Sequence, residues 1–196
     1  MNWKALLFLA LIVYGGYHTW QKRAVSYLPG VVAPADPIQT NADVSTIASK
    51  NNYKLEPLAN FEIEARVLGA EHYYMDKFAD LIPIDLALGW GRMSDESVLK
   101  DVKISQSDRF YFWHVDNFMI PREEIETHSA NMHMIPVDDS VEKTLNELRV
   151  GQVVKIKGYL VEAISSAGVH WRSSLTRNDT GAGACELILV KSVSVH

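Results

Sequence analysis

The sequence predicts a mainly β protein of the α+β class, in which an N-terminal transmembrane helix precedes one small β-barrel domain. Apolar and polar residues alternate over residues 61–69 and 152–161, a capped amphipathic helix precedes the second of these segments, and residues 5–16 are continuously apolar or small. Alternation with a period of two is typical of half-buried strands. A chain of 196 residues, 47% of them hydrophobic, is long enough to bury one core of ordinary size.

Residues 1–23 are predicted to form a membrane anchor. Trp3 and Trp20 bracket the apolar run, and about 18 residues of helix at ~1.5 Å each nearly match a hydrocarbon core of ~30 Å. No small-x-small cleavage site follows, which favours an uncleaved anchor over a signal peptide. Basic residues flank the apolar run on both sides, so the positive-inside rule gives almost no preference for either membrane orientation. Because a near-terminal apolar segment normally directs export, we expect residues 3–20 to lie in the membrane and the body to be exported.

Residues 24–52 are predicted to be a tether. They contain Pro29, Pro34 and Pro37 together with many Asn, Asp and Ser residues, so they are too polar and too interrupted to bury a face. The prolines stiffen the stretch, which is expected to hold the domain at residues 53–196 away from the bilayer. A docking peptide for a partner is the alternative.

The first strand of the domain is predicted over residues 61–69, with Phe61, Ile63 and Val67 inward. Residues 73–95 lose this period, which predicts an irregular excursion packed on the barrel, and Ser94 then caps a short helix. Residues 109–115 predict a strand that is aromatic on both faces.

The rest of the domain is organised by a strand, a helix and a second strand between residues 128 and 163. Pro136 ends a strand at residues 130–135, and Asp139 with Glu142 predicts a capping box for an inserted helix over residues 139–149, with Gly151 as its C-terminal cap. Further strands are predicted at residues 152–161, 171–175 and 184–190. A helix before the penultimate long strand of five or six is the order of elements in an OB-like barrel.

The charge distribution argues against nucleic-acid binding. Residues 1–23 hold three of the 19 basic residues and none of the 24 acidic ones, which leaves the rest of the chain with a formal charge of −8. Because cationic contacts to phosphate supply most non-specific affinity, no nucleic-acid partner is expected. The lone Cys185 excludes an intrachain disulfide, and no Walker pattern is present, so no cofactor is predicted.

A polar loop is the first candidate binding site. Glycines at alternate positions after Thr176 allow the backbone amides to form an anion nest, to which Arg177, Asn178 and Asp179 add polar side chains. Such a loop is suited to a carboxylate or a phosphate. A long hairpin loop that turns on its own Asn and Asp side chains is the alternative.

An aromatic surface is the second candidate. Residues 110–113 are all aromatic, so one face of their strand must lie outside the barrel core or under the excursion at residues 73–95. If Tyr111 and Trp113 are exposed, they form a platform for a peptide or sugar together with Trp90 and Trp171. Core packing beneath the excursion is the alternative.

Metal-ligating and nucleophilic residue types are present without a converging pattern. One predicted strand carries types suited to copper: His128, Met132, His133 and Met134. The types of a hydrolase also occur: His133, His170, Ser173, Ser174, Asp179 and Cys185. The methionines and His133 point to opposite faces of a strand, and no nucleophile elbow surrounds either serine. The metal site and the hydrolase therefore remain alternatives.

Three stretches of the chain, DLALGWGRMS at residues 85–94, HSANMH at residues 128–133 and SSLTRNDTGAGACE at residues 173–186, resemble a family of uncharacterised bacterial proteins with an N-terminal membrane segment. The resemblance covers most of residues 53–193 and implies a bacterial origin without an assigned activity. We therefore expect a single-pass protein of the bacterial inner membrane with a periplasmic domain.

The function expected on this basis is that of a membrane-tethered, non-enzymatic envelope module that binds a protein or peptide partner, for example within a membrane-associated assembly. A hydrolase or metal-handling protein that uses His133, His170, Ser173 and Cys185 is the alternative.

Overall fold

The computed structural model describes residues 3–21, 23–45, 47, 49–176 and 185–196. Within these residues it contains four α-helices, a 3₁₀ turn at Gly91–Ser94 and nine strands. The elements in chain order are α1 (Trp3–Gln21), β1 (Ile38–Asn41), β2 (Tyr53–His72), β3 (Ile84–Gly89), α2 (Glu96–Leu99), β4 (Val102–Ser107), β5 (Phe110–Val115), α3 (Arg122–Thr127), β6 (Ser129–Pro136), α4 (Asp139–Asn146), β7 (Val153–Ser165), β8 (His170–Arg172) and β9 (Glu186–Val195). The predicted mainly β, α+β class is confirmed.

Seven strands form one sheet in the order β1-β2-β3-β6-β9-β7-β8, and β2 also pairs with β7. Strands β2, β3, β6, β9 and β7 are therefore linked in a closed cycle of pairings. Their pairings are antiparallel except for the parallel pair β6–β9. Helix α4 connects β6 to β7, as the sequence predicts.

The central core lies inside this cycle of strands. It contains alternate residues of β2, such as Phe61, Ile63 and Val67, with Met132 from β6 and Leu145 from α4. These inward positions of β2 are the ones that the alternation predicts. Burial of apolar surface at ~25 cal/mol per Å² is the main stabilising contribution of such a core.

Two smaller apolar clusters lie on the outside of the same strands. One packs Leu81 and Ile82 against Val161, Leu187 and their neighbours, and the other, the hairpin cluster, packs Leu68, Ala87, Met93, Val98, Ile120 and Ile125 beneath β4 and β5. All six residues of β3 are consequently buried. A strand that is buried on both faces shows no alternation of polar and apolar residues. The prediction of an irregular segment over residues 73–95 was therefore wrong for β3.

Much of the predicted tether lies on the domain, which corrects that prediction. The amide of Val25 donates to the carbonyl oxygen of Val150 at 2.8 Å, and the amide of Ala33 donates to Ser94 Oγ at 3.0 Å. Ala33 is fully buried. Further along, β1 pairs with the middle of β2. A polar, proline-containing segment can pack on the domain without an apolar face of its own, because the domain forms hydrogen bonds with its backbone groups.

Helix α1 carries apolar side chains that remain exposed, including Leu7, Leu9 and Leu11. The sequence predicts a transmembrane helix here. Within the described residues, no helix combines the length and the apolar character needed to cross a membrane. The continuous apolar run at residues 5–16 corresponds to only ~18 Å of helix.

Local details of the helices also differ from the prediction. Asp138, rather than Asp139, caps α4 by accepting a hydrogen bond from the amide of Val141 at 2.9 Å. Gly151 is not a helix cap, because α4 ends at Asn146. The amide of Gly151 instead donates a hydrogen bond to the carbonyl oxygen of Val67 at 2.7 Å. Asp95 caps α2, whereas the hydroxyl oxygen of Ser94 accepts a hydrogen bond from the amide of Ala33 in the N-terminal segment.

Candidate functional site

The candidate site is built around the β4–β5 hairpin, which forms a separate two-stranded sheet. Ser107 pairs with Phe110, and the two loop residues between them, Asp108 and Arg109, have φ values of 52° and 69°. Positive φ at both central residues defines a type I′ turn, whose twist matches that of the flanking strands. The register of the hairpin is therefore fixed by its turn.

The two faces of β5 have different surroundings. Tyr111 and Trp113 are half-buried and pack on the hairpin cluster, whereas Phe110 and Phe112 are 43% and 51% exposed. The sequence allowed Tyr111 and Trp113 to be an exposed platform, and the structure instead exposes the alternate residues. The hairpin lies over the outer face of β3 and β6, so it must turn one aromatic face towards the sheet.

A cleft of about 580 Å³ runs beside this hairpin. Its aromatic walls are formed by Trp90, Phe110, Tyr111, Phe112, Trp113 and Phe118. Ser129, Ala130 and Asn131 of β6 also line it, as do Thr176, Cys185 and Glu186. A concave volume of this size with mainly apolar walls and a few polar groups is typical of a binding site.

Polar contacts fix the hairpin on β6. The hydroxyl groups of Tyr111 and Ser129 lie 3.0 Å apart, and Asn131 Nδ2 donates to the carbonyl oxygen of Arg109 at 3.1 Å. Gln106 Nε2 donates to Asn131 Oδ1 at 2.7 Å. Burial raises the pKa of Tyr111 to about 12. The wall of the cleft is thus held in place by hydrogen bonds as well as by apolar packing.

An ionic cluster lies beneath the tip of the hairpin. Arg109 Nη1 donates to Asp85 Oδ1 at 3.1 Å and to the carbonyl oxygen of Ile82 at 2.9 Å, while Arg109 Nε donates to Asp76 Oδ2 at 2.9 Å. Asp85 is completely buried. His133 Nδ1 lies 2.8 Å from Asp85 Oδ1 without the geometry of a hydrogen bond. The cluster links the hairpin tip to both β3 and β6.

The two remaining predicted aromatic residues have different positions. Trp90 is buried in the central core, borders the cleft, and its Nε1 donates to Asp36 Oδ1 at 3.1 Å. Trp171 packs edge-on against Phe78 and His133, with ring centroids 4.6 and 4.7 Å away. It is not among the described residues that border the cleft. The predicted packing of aromatic residues beneath the 73–95 segment is therefore observed for Trp171.

The predicted anion-binding residues Arg177, Asn178 and Asp179 lie outside the described residues. Thr176 and Cys185, which flank them in sequence, both border the cleft.

The residues considered for hydrolysis occupy separate structural positions. Ser173 Oγ donates to the carbonyl oxygen of Ser174 at 2.8 Å and accepts from the amide of Leu187 at 3.0 Å. His170 Nδ1 is 3.0 Å from Glu162 Oε1 at an exposed position. In the part of the chain that the structure describes, no group of three or more His, Cys, Asp or Glu side chains is arranged to hold a metal ion.

Sequence reasoning did not select several residues that form the cleft. Phe118 follows β5 in a turn that has no periodic signal, and Ser129 with Asn131 reads as an ordinary strand edge. Phe110 and Phe112 were visible as aromatic residues, but their exposure depends on the side that the hairpin presents to the sheet.

The fold and the cleft together define a mainly β, α+β domain with an aromatic cleft beside a two-stranded hairpin. The chain matches no protein-family model, no curated protein and no solved structure.

Proposed function

We propose that this protein is a non-enzymatic module that binds a segment of a protein partner in the cleft along β5. The exposed aromatic side chains at the cleft carry this proposal. Phe110, Phe112 and Phe118 are 43%, 51% and 56% exposed and border one concavity, and Met119 beside them is 55% exposed. Contiguous exposed apolar groups are typical of interaction sites, and aromatic residues are enriched in protein interfaces.

The rigidity of the cleft wall supports this function. Tyr111, Gln106 and Arg109 join the hairpin to β6 and β3, so the exposed phenylalanines project from an ordered strand. A preorganised surface loses less conformational entropy when a partner binds.

We also propose that the closed cycle of strands is an OB-like barrel. The strand order, the parallel β6–β9 pair and the position of α4 between β6 and β7 support this assignment. OB-folds bind ligands on one strand face and its adjoining loops. Here the hairpin covers the outer face of β3 and β6, which directs a partner to the cleft beside it.

For α1 we propose attachment of the domain to the periplasmic face of the bacterial inner membrane. Leu7, Leu9 and Leu11 are between 52% and 63% exposed, and Leu9 lies on the side of the helix opposite to Leu7 and Leu11. A helix that is apolar all round is stable in apolar surroundings. Flotation of the full chain with anionic phospholipid vesicles tests this attachment. Flotation that is lost in Leu7→Glu with Leu11→Glu supports it, and the absence of flotation of the native chain would refute it.

Selection from a phage-displayed library of random twelve-residue peptides tests the proposed binding function. Peptides selected on the native protein are expected to bind Phe110→Ser with Phe112→Ser on the order of tenfold more weakly, because two apolar contacts are lost. The matched control is Val137→Ser with Val150→Ser, since these side chains are 45% and 42% exposed outside the cleft. Failure to enrich any peptide, or equal loss of binding in both double variants, would contradict the proposal.

A further inference from the structure

We infer that the partner segment binds as an additional β-strand on the free edge of β5. This inference rests on the proposed function and specifies its mode of recognition. Among the described residues, β5 pairs with β4 and with no other strand. The N–H and C=O groups along the second edge of a strand can pair with an incoming chain, and edge strands are the usual sites of strand addition.

The register of the hairpin identifies the groups on this edge. In a hairpin with a two-residue loop, the residues that flank the loop form a hydrogen-bonded pair, and such pairs alternate with non-hydrogen-bonded pairs along the ladder. Ser107–Phe110 is the flanking pair. The backbone groups of Tyr111, Trp113 and Val115 therefore point away from β4.

The cleft lies along this same edge. All six residues of β5 border it, including those whose side chains point to opposite faces of the hairpin. A cavity on one face would contact only every second residue. The cleft is therefore adjacent to the strand edge, where the outward groups of Tyr111, Trp113 and Val115 are located.

The length of β5 sets the length of the segment that can pair with it. Six residues of extended chain span about 20 Å, and residues 129–131 of β6 border the same cleft. A segment of about six residues therefore matches the whole edge of β5.

The chemistry of the walls defines the occupant. Phe110, Phe112 and Phe118 favour apolar side chains at alternate positions of the segment. Among the described charged residues at the cleft, Arg122 forms an ion pair with Glu126 at 2.8 Å and Glu186 is buried, so no basic residue remains to attract an acidic segment. The occupant is thus an extended, neutral or basic segment of another protein with apolar residues at every second position.

Backbone methylation of a selected peptide tests the mode of binding. The probe is a synthetic copy of a peptide selected on the native full chain, with single N-methyl groups placed at successive positions. Because only every second amide of an added strand faces β5, methylation is expected to weaken binding about tenfold at alternate positions and little at those between. Equal effects at neighbouring positions would overturn the inference.

Substitution on the protein gives a second test. Val115→Pro removes one outward donor, while Val115→Thr keeps the amide with a similar shape. We expect about tenfold weaker peptide binding for proline than for threonine. If both variants bind equally and circular dichroism shows both folded, strand addition is excluded. Peptides that depend on Phe110 and Phe112 but show neither effect would leave the proposed function standing and refute this mode alone.

A second copy of this chain is the competing occupant of the edge. It would appear as a dimer that the selected peptide dissociates, and that result would overturn the assignment of the edge to another protein.

Discussion

Replacement of Arg109 by methionine tests whether the ionic cluster holds the hairpin on the sheet. Arg109 is the cationic partner of Asp85, whose side chain has no exposed surface, and it also contacts Asp76, which is 36% exposed. Methionine preserves much of the length of the side chain and removes its charge. The perturbation therefore leaves a buried carboxylate without its guanidinium partner.

The expected cost follows from the burial of the two carboxylates. Removing one partner of a buried ion pair costs about 3–5 kcal/mol, whereas an exposed pair contributes about 0–1 kcal/mol. Because His133 and Asn131 remain near Asp85, we expect the lower end, about 3 kcal/mol for Arg109→Met. Asp76→Asn is the matched control and is expected to cost less than about 1 kcal/mol.

Urea denaturation monitored by tryptophan fluorescence measures this effect. With a slope of about 2 kcal/mol per molar urea, a loss of 3 kcal/mol lowers the midpoint by about 1.5 M. Peptide binding to Arg109→Met should weaken as well, since β5 loses the anchor at its turn. A cost below about 1 kcal/mol for Arg109→Met, or equal costs for Arg109→Met and Asp76→Asn, would refute the role of the buried pair.

Two further predictions concern a tight backbone contact and a buried phenol. Gly151→Ala should lower the urea midpoint more than Gly168→Ala, although both glycines have positive φ. A Cβ added to Gly151 would lie 1.8 Å from the carbonyl oxygen of Val25, whereas a Cβ added to Gly168 would meet no atom within 4 Å. Equal shifts of the midpoint would contradict this steric argument. Tyr111 holds its proton up to a pKa of about 12 in the folded state, whereas the unfolded phenol titrates near pH 10. The free energy of unfolding should therefore fall between pH 10 and 12, and it should fall less in Tyr111→Phe; parallel pH profiles would contradict the burial of this hydroxyl.

The sequence predicted the parts of the fold that one apolar face determines. The alternation through Phe61, Ile63 and Val67 identified the central part of β2, and the apolar spacing identified α4 between its two strands. These patterns are local, because each inward side chain meets the same core. The position of α4 between β6 and β7 could be predicted from the succession of elements alone.

Elements that are buried on both faces, or satisfied by distant backbone groups, could not be predicted in this way. Strand β3 has no polar alternation, and the segment around Ala33 is held by Ser94, which is far away in sequence. The same limit applied to the cleft. The sequence alone does not distinguish Phe112 from Trp113, because both are aromatic residues of the same strand. The side of the hairpin that packs on the sheet decides which of them is exposed.

Amide hydrogen exchange of β5, measured by NMR with and without a selected peptide, tests the central claim most directly. Tyr111, Trp113 and Val115 have amides that point away from β4, so strand addition should slow their exchange when the peptide binds. The amides of Phe112 and His114 already face β4 and should change little. Unchanged exchange at the three outward amides in the peptide complex would contradict recognition at the β5 edge.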